Sequence, residues 1–134
     1  MSEELVVDAS AVADALIRGD EVGNALAQRI SGSVCHSPHL IDAEVGSVLR
    51  RAERRGLINE RTALTSLRLL KFLIDERYSH DGWLALEAWK LRGTVTFYDG
   101  LYVALAARLD IPLLTRDIKL SKAPGLPCRI EVCG

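Results

Sequence analysis

Cysteine is scarce in this chain and follows no pattern. Cys35, Cys128 and Cys133 are the only three, with no Cys-x-x-Cys and no His/Cys ligand spacing. This excludes a disulfide framework and leaves buried or partly buried free thiols in a reducing compartment as the expectation. Long apolar runs are also missing. No uninterrupted stretch approaches the ~20 residues that a membrane span requires. The N-terminal Met1-Ser2-Glu3-Glu4 is acidic and meets an apolar run of only three residues, unlike a secretory signal. A cytoplasmic protein is expected, with no membrane partner. Nor does one sign of charge dominate: 17 Lys and Arg against 18 Asp and Glu leave a net charge of −1. No bulk positive field attracts nucleic acid, so such a partner would have to be held by a local patch. With no internal repeat, linker or low-complexity segment, a single domain is expected over residues 1–134.

What is present suits a globular chain. Hydrophobic residues make up 49% of 134 and charged residues 26%. A chain of that length buries roughly two-thirds of the surface it exposes when unfolded, enough for a core without covalent or metal staples. Leu5-Val6-Val7 is short, fully apolar and stops abruptly at Asp8, which is the pattern of a buried parallel strand. Residues 11–18 predict a short helix with Ser10 as its cap. A second helix is expected over about 21–30 and a strand over 34–36. Ser37 as N-cap and Pro38 at the first helical position then open a helix to Arg55, stopped by Gly56. Asn59 begins another helix through Asp75, with Leu64, Leu67, Leu70 or Lys71, and Ile74 at helical spacing. Further helices are predicted over 81–91 and 96–109, and strands over 76–79, 112–115 and 129–132. Strands alternating with helices along the whole length indicate a three-layer α/β fold with a mostly parallel sheet.

In such sheets the functional crevice lies outside the carboxyl ends of the strands, where Asp8 would stand. Glu44 follows Ile41 and precedes Val45 and Val48 on a helical stripe, which sets a carboxylate among apolar neighbours; alternatively it lies at the stripe edge and reaches solvent. Asp99 fits a capping box with Thr96, yet it also shares an inward face with Tyr102, Val103 and Ala106. Asp117 follows an apolar strand as Asp8 does, and reads singly as a cap of the following turn. Each acid has an ordinary explanation alone, but all four are directed to one edge. Like charges ~4 Å apart repel by about 4 kcal/mol at an effective dielectric of 20, so several must be protonated or a divalent cation must neutralise them. An all-oxygen set without histidine or thiolate suits Mg²⁺ or Mn²⁺ rather than zinc. Ser10 and Thr115 read as caps or as hydroxyls that hold water near such an ion. His36, His39 and His80 read as surface or strand-end residues. The arginine-rich 50–55 stretch reads as a solvated helix face with a possible phosphate contact, and Tyr98 and Tyr102 as packing residues.

Two function classes with similar architecture do not fit. A receiver-type signalling domain needs paired acids after its first strand and an acceptor Asp after its third, but here those strands end in a single Asp8 and in Ser79. A haloacid-dehalogenase-like phosphatase needs Asp-x-Asp where this chain has Asp8-Ala9-Ser10.

The four blocks, taken in order, resemble those of a known family. Val6-Val7-Asp8-Ala9-Ser10, Ile41-Asp42-Ala43-Glu44-Val45, Tyr98-Asp99-Gly100-Leu101-Tyr102 and Leu113-Leu114-Thr115-Arg116-Asp117 look like the acidic blocks of PIN-domain nucleases. Their wording and the chain length resemble a VapC-type toxin of a bacterial type II toxin–antitoxin pair. The resemblance implies a five-stranded sheet of order 3-2-1-4-5 and a metal-dependent endoribonuclease acting on RNA. It carries metal-site roles onto Asp8, Glu44, Asp99 and Asp117, and accessory roles onto Thr115 and Ser10. Thr96 and Leu120 stand near positions where some PIN domains hold further acids. A VapB-type antitoxin partner and a homodimer are also implied. The alternatives within the family are a non-toxin RNA-processing nuclease and a catalytically silent PIN domain that binds RNA or protein.

Overall fold

The computed structural model describes residues 2–133. In chain order the elements are β1 (Glu4–Val7), α1 (Ala9–Ile17), α2 (Glu21–Ser31), β2 (Val34–Pro38), α3 (Leu40–Arg54), α4 (Glu60–Leu73), β3 (Glu76–Tyr78), α5 (Trp83–Lys90), α6 (Phe97–Leu109), β4 (Leu113–Thr115), α7 (Ile118–Ser121) and β5 (Ile130–Val132). The strands form one sheet of order β3-β2-β1-β4-β5, and every neighbouring pair is parallel. The expected three-layer α/β fold and strand order are therefore present. α1 packs on α2, α3 and α4, while α5 and α6 form a second group. Leu5, Val6 and Val7 are fully buried, as a central strand covered on both faces requires.

Three helix starts differ from expectation. α1 is capped by Asp8, whose carboxylate accepts from the Ala11 N–H, rather than by Ser10. A carboxylate two residues earlier takes the free amide, which releases the Ser10 hydroxyl for other bonds. Ser37 and Pro38 belong to β2, not to a helix start. The Ser37 hydroxyl donates to the Val7 carbonyl at 2.6 Å, and Pro38 ends the strand opposite Tyr78. α3 consequently begins at Leu40. His39 at its cap makes no side-chain cap bond, and the Leu40 N–H is satisfied by His80 Nε2 at 2.8 Å from the chain before α5. α5 starts at Trp83 rather than Asp81, after Gly82 at φ 75°. α4 stops at Leu73 and buries Ser66 and Leu70, leaving Leu64, Leu67, Leu69 and Phe72 exposed.

Gly100 is required by a close approach. A Cβ there would lie 3.1 Å from the Ala88 carbonyl oxygen, so its absence lets α6 seat tightly on α5. That seating fixes the start of α6, where Asp99 lies.

Candidate functional site

From β1 the sheet extends to β2 and β3 on one side and to β4 and β5 on the other, so β1 and β4 flank the point where strand order reverses. A crevice at the carboxyl edge is the ordinary ligand site of an open parallel sheet. Val7 pairs with Leu114, which brings Asp8 beside Thr115. Asp8 is only 9% exposed. Its Oδ1 accepts from the Ser10 hydroxyl at 2.6 Å and from the Ala11 N–H at 3.1 Å, and its Oδ2 accepts from the Thr115 hydroxyl. A carboxylate offers about four acceptor directions, so roughly one is left for another ligand. Burial pushes the Asp8 carboxyl above the usual range, and the bonds from Ser10, Thr115 and Ala11 pull it partly back.

The two hydroxyls are themselves held. Ser10 Oγ accepts from the Arg116 N–H and Thr115 Oγ1 from the Asp117 N–H, each at 3.0 Å. Both hydroxyl protons are thus directed to Asp8. The Cys133 thiol donates to the Thr115 carbonyl at 3.3 Å. Burial raises the thiols, Cys35 to about 12 and Cys128 to about 11, so they are protonated at neutral pH, as expected of free buried cysteines.

Glu44 projects from α3 at the edge of the buried stripe Ile41, Val45, Leu49 and Ala52. Its Oε1 accepts from the Tyr102 hydroxyl at 2.6 Å. Tyr102 is 2% exposed, and burial followed by this bond pushes its hydroxyl far above the usual tyrosine range, so it remains a donor. Asp99 stands in the first turn of α6, where Thr96 caps the helix by accepting from the Asp99 N–H at 3.1 Å. The Asp99 carboxyl is raised first by burial, then by the charges of Asp117, Asp8 and Glu44. The four predicted acids therefore share one electrostatic neighbourhood. Asp117 also caps α7, accepting from Lys119 and Leu120 at 2.9 and 3.2 Å. Capping and edge placement coexist, because a capping carboxylate retains unused lone pairs.

Among the described residues no three His, Cys, Asp or Glu side chains close tightly enough to grip one ion directly. The donor chemistry nevertheless fits a hard divalent cation, which keeps several waters and takes one or two carboxylates directly. A tight tetrahedral zinc cage is not what these residues build.

Other candidates separate from the edge. Asp42 is bound bidentately by Arg77 at 2.8 and 2.9 Å. His36 is buried between Tyr78 and Glu4, both at 2.8 Å, rather than lying on the surface. Two contributors lie outside the predicted site. Tyr102 does more than pack: its hydroxyl donates to Glu44. Asp14 on α1 pairs with Arg116, a contact spanning 102 residues that no local pattern announces.

An acid-lined switch point on a parallel sheet defines an α/β protein of the carboxylate-site class. The pattern of the PIN domain family matches residues 5–126. Ribonuclease VapC1 of Mycobacterium tuberculosis is 50% identical over 130 residues, covering 97% of this chain and 98% of that protein. The chain belongs to the PIN domain family, among its VapC-type members. A solved VapBC2 from Rickettsia felis, bound to a DNA fragment from its promoter, matches with a TM-score of 0.71 at 12% identity over 98% of this chain and 99% of that one. Mycobacterium tuberculosis VapC20, a sarcin-ricin loop cleaving toxin, matches with a TM-score of 0.67 at 17% identity over 93% and 98%. At such identities these two structures speak for the fold. No described helix is long and apolar enough to cross a membrane.

Proposed function

We propose that this chain is a Mg²⁺- or Mn²⁺-dependent endoribonuclease, the toxin of a VapBC-type pair that acts in the cytoplasm as a single PIN domain over residues 1–134. The observation that carries the reading is Asp8, fixed at the switch point by Ser10, Thr115 and Ala11, together with Asp117 and Glu44 near enough to Asp99 that their charges and that of Asp8 raise its carboxyl. Half of the residues are shared with a relative named a ribonuclease, which supports RNA as substrate. Solved structures described as VapBC support a VapB-type antitoxin as partner; a homodimer as the working unit is part of the same proposal and rests on the family resemblance.

In this reading Asp8 and Asp99 are the central ligands of the cation and Glu44 and Asp117 complete its surroundings. When bound, the cation supplies a more acidic water and offsets charge on the phosphodiester. The residues of the chain prepare that site. Ser10 and Thr115 each spend their proton on Asp8, which favours its ionised form despite burial. The phenolic proton of Tyr102 fixes the Glu44 carboxylate in one orientation. Asp117 is steered by two amides at the start of α7, and Asp99 by the turn that Thr96 caps.

Calorimetric titration of Mn²⁺ into the purified protein separates the enzyme from a silent binding domain. Saturable binding that weakens at least tenfold in Asp99→Asn is expected. No saturable binding in the intact chain would remove the metal site and the mechanism with it.

A further inference from the structure

An open cleft of about 330 Å³ adjoins the carboxylates on the α3 side. Glu44, Ser47 and Arg51 line it from one face of α3, joined by Ala9 and Tyr98. Ala9 follows Asp8 and Tyr98 precedes Asp99, so the cleft opens beside two of the acids. Tyr98 is 60% exposed, in contrast to the buried Tyr102 one helical turn along. Arg51 is exposed and makes no ion pair among the described residues, whereas Arg18, Arg29, Arg77 and Arg116 are each paired. Seven residues separate Glu44 from Arg51, about 10 Å along the helix axis. The cleft therefore has an anionic end at the acids, a flat aromatic face at one wall and an uncommitted cation at the far end. A second cleft on the α7 side of the acids is lined by Asp99, Asp117 and Lys119 but has no aromatic residue.

We propose that the α3 cleft is a nucleotide subsite that receives one unpaired residue of the RNA beside the scissile phosphate, with its base stacked on Tyr98 and a flanking phosphate on Arg51. This rests on the nuclease reading above and adds where, and in what form, the strand is held. A stacked base offers a neutral face close to Glu44, and the phosphate charge meets Arg51 two turns away. A base inside a duplex is already stacked on its neighbours, so the cleft selects single-stranded RNA. The α7 cleft, lacking an aromatic, contributes charge through Lys119 but no stacking platform.

The test uses a short, fluorescein-labelled single-stranded RNA of mixed sequence and the full chain carrying Asp8→Asn, so that binding is read without cutting. Adding Tyr98→Ala should weaken binding at least about fivefold, while Tyr98→Phe retains it, because an aromatic–base stack contributes that much or more. Adding Arg51→Gln should reduce the slope of log K against log salt by about 0.7, one phosphate contact on a single strand. A fully paired RNA hairpin stem should be indifferent to Tyr98. Tyr98 and Arg51 are both exposed at the cleft, and unchanged melting curves for their variants accompany the expected result. Unchanged affinity and slope in Tyr98→Ala and Arg51→Gln overturn the subsite. If the unsubstituted chain meanwhile cuts RNA and Asp8→Asn does not, the nuclease reading survives that failure. An unsubstituted chain that neither binds nor cuts RNA overturns both.

Discussion

Asp8 does two jobs with one side chain: it ends β1 and caps α1, while keeping about one acceptor direction open at the sheet edge. Its neighbours are specialised to support it, and their effects are separable. Tyr102→Phe removes one hydroxyl from a buried position and frees Glu44 to rotate. A residue that orients a ligand in this way is worth 10–100-fold in metal affinity or activity. We predict a loss of about tenfold or more in RNA cleavage with a melting temperature nearly unchanged, measured by gel-based cleavage and calorimetry. Asp99 responds to pH in the opposite sense from an ordinary salt-bridged acid. Its folded-state carboxyl is raised above its unfolded value by burial and three neighbouring charges. Its favourable contribution is therefore complete below the unfolded value near 4 and is lost as pH rises through the folded value. In chelator, Asp99→Asn should be more stable than the parent at pH 7, and the difference should vanish toward pH 3.5. Urea unfolding at the two pH values checks this. A parent as stable as the variant at pH 7 would mean that the charges around Asp99 are already neutralised.

At the scale of elements, the short connections carry as much information as the helices. A Cβ on Gly23 would fall 1.9 Å from the Arg18 carbonyl oxygen, so the turn from α1 into α2 admits only glycine. Gly23→Ala should cost about 1–3 kcal/mol, the usual penalty for forcing a group into filled space, read as a lowered urea midpoint. The same scale explains what the sequence revealed and what it hid. Periodicity and caps are local signals, so Thr96 was legible as a cap and Asn59 as the start of a helix, and each accepts a backbone amide of the first turn. The apolar strand stopping at Asp8 was legible for the same reason. Ser37-Pro38 carried an equally good local signal for a helix start, but the sheet overrode it. Pairing of Pro38 with Tyr78 and the bond from Ser37 to Val7 are non-local gains that propensity cannot register. His80 capping α3 and Arg116 holding Asp14 were illegible because their partners lie 40 and 102 residues away. Asp8, Asp99 and Asp117 stand out in the sequence because each lies where an element ends or begins, and Glu44 because it interrupts the apolar stripe of α3.

For the molecule as a whole, the sheet order turns local features into one site. Crossing from β1 to β4 at the reversal of strand order sets Asp8 beside Thr115 and Asp117, while α3 and α6 meet there through Glu44 and Tyr102. The folded state therefore concentrates negative charge at the carboxyl edge of the sheet, where a divalent cation, as proposed, would stabilise the fold. At a hundred times its dissociation constant, Mg²⁺ or Mn²⁺ should add about 2.7 kcal/mol to unfolding, seen as a raised melting temperature that chelator reverses. The central claim is that, as proposed, Asp8 and Asp99 hold a divalent cation at the switch point for cutting RNA, with Glu44 and Asp117 completing its surroundings. It is tested most directly by measuring RNA cleavage by the intact chain and by Asp8→Asn across a range of Mg²⁺ concentrations, with a chelator control. The account predicts cleavage by the intact chain that saturates with Mg²⁺, disappears in chelator and is absent from a folded Asp8→Asn protein. Undiminished cleavage in excess chelator, or by Asp8→Asn, would contradict it.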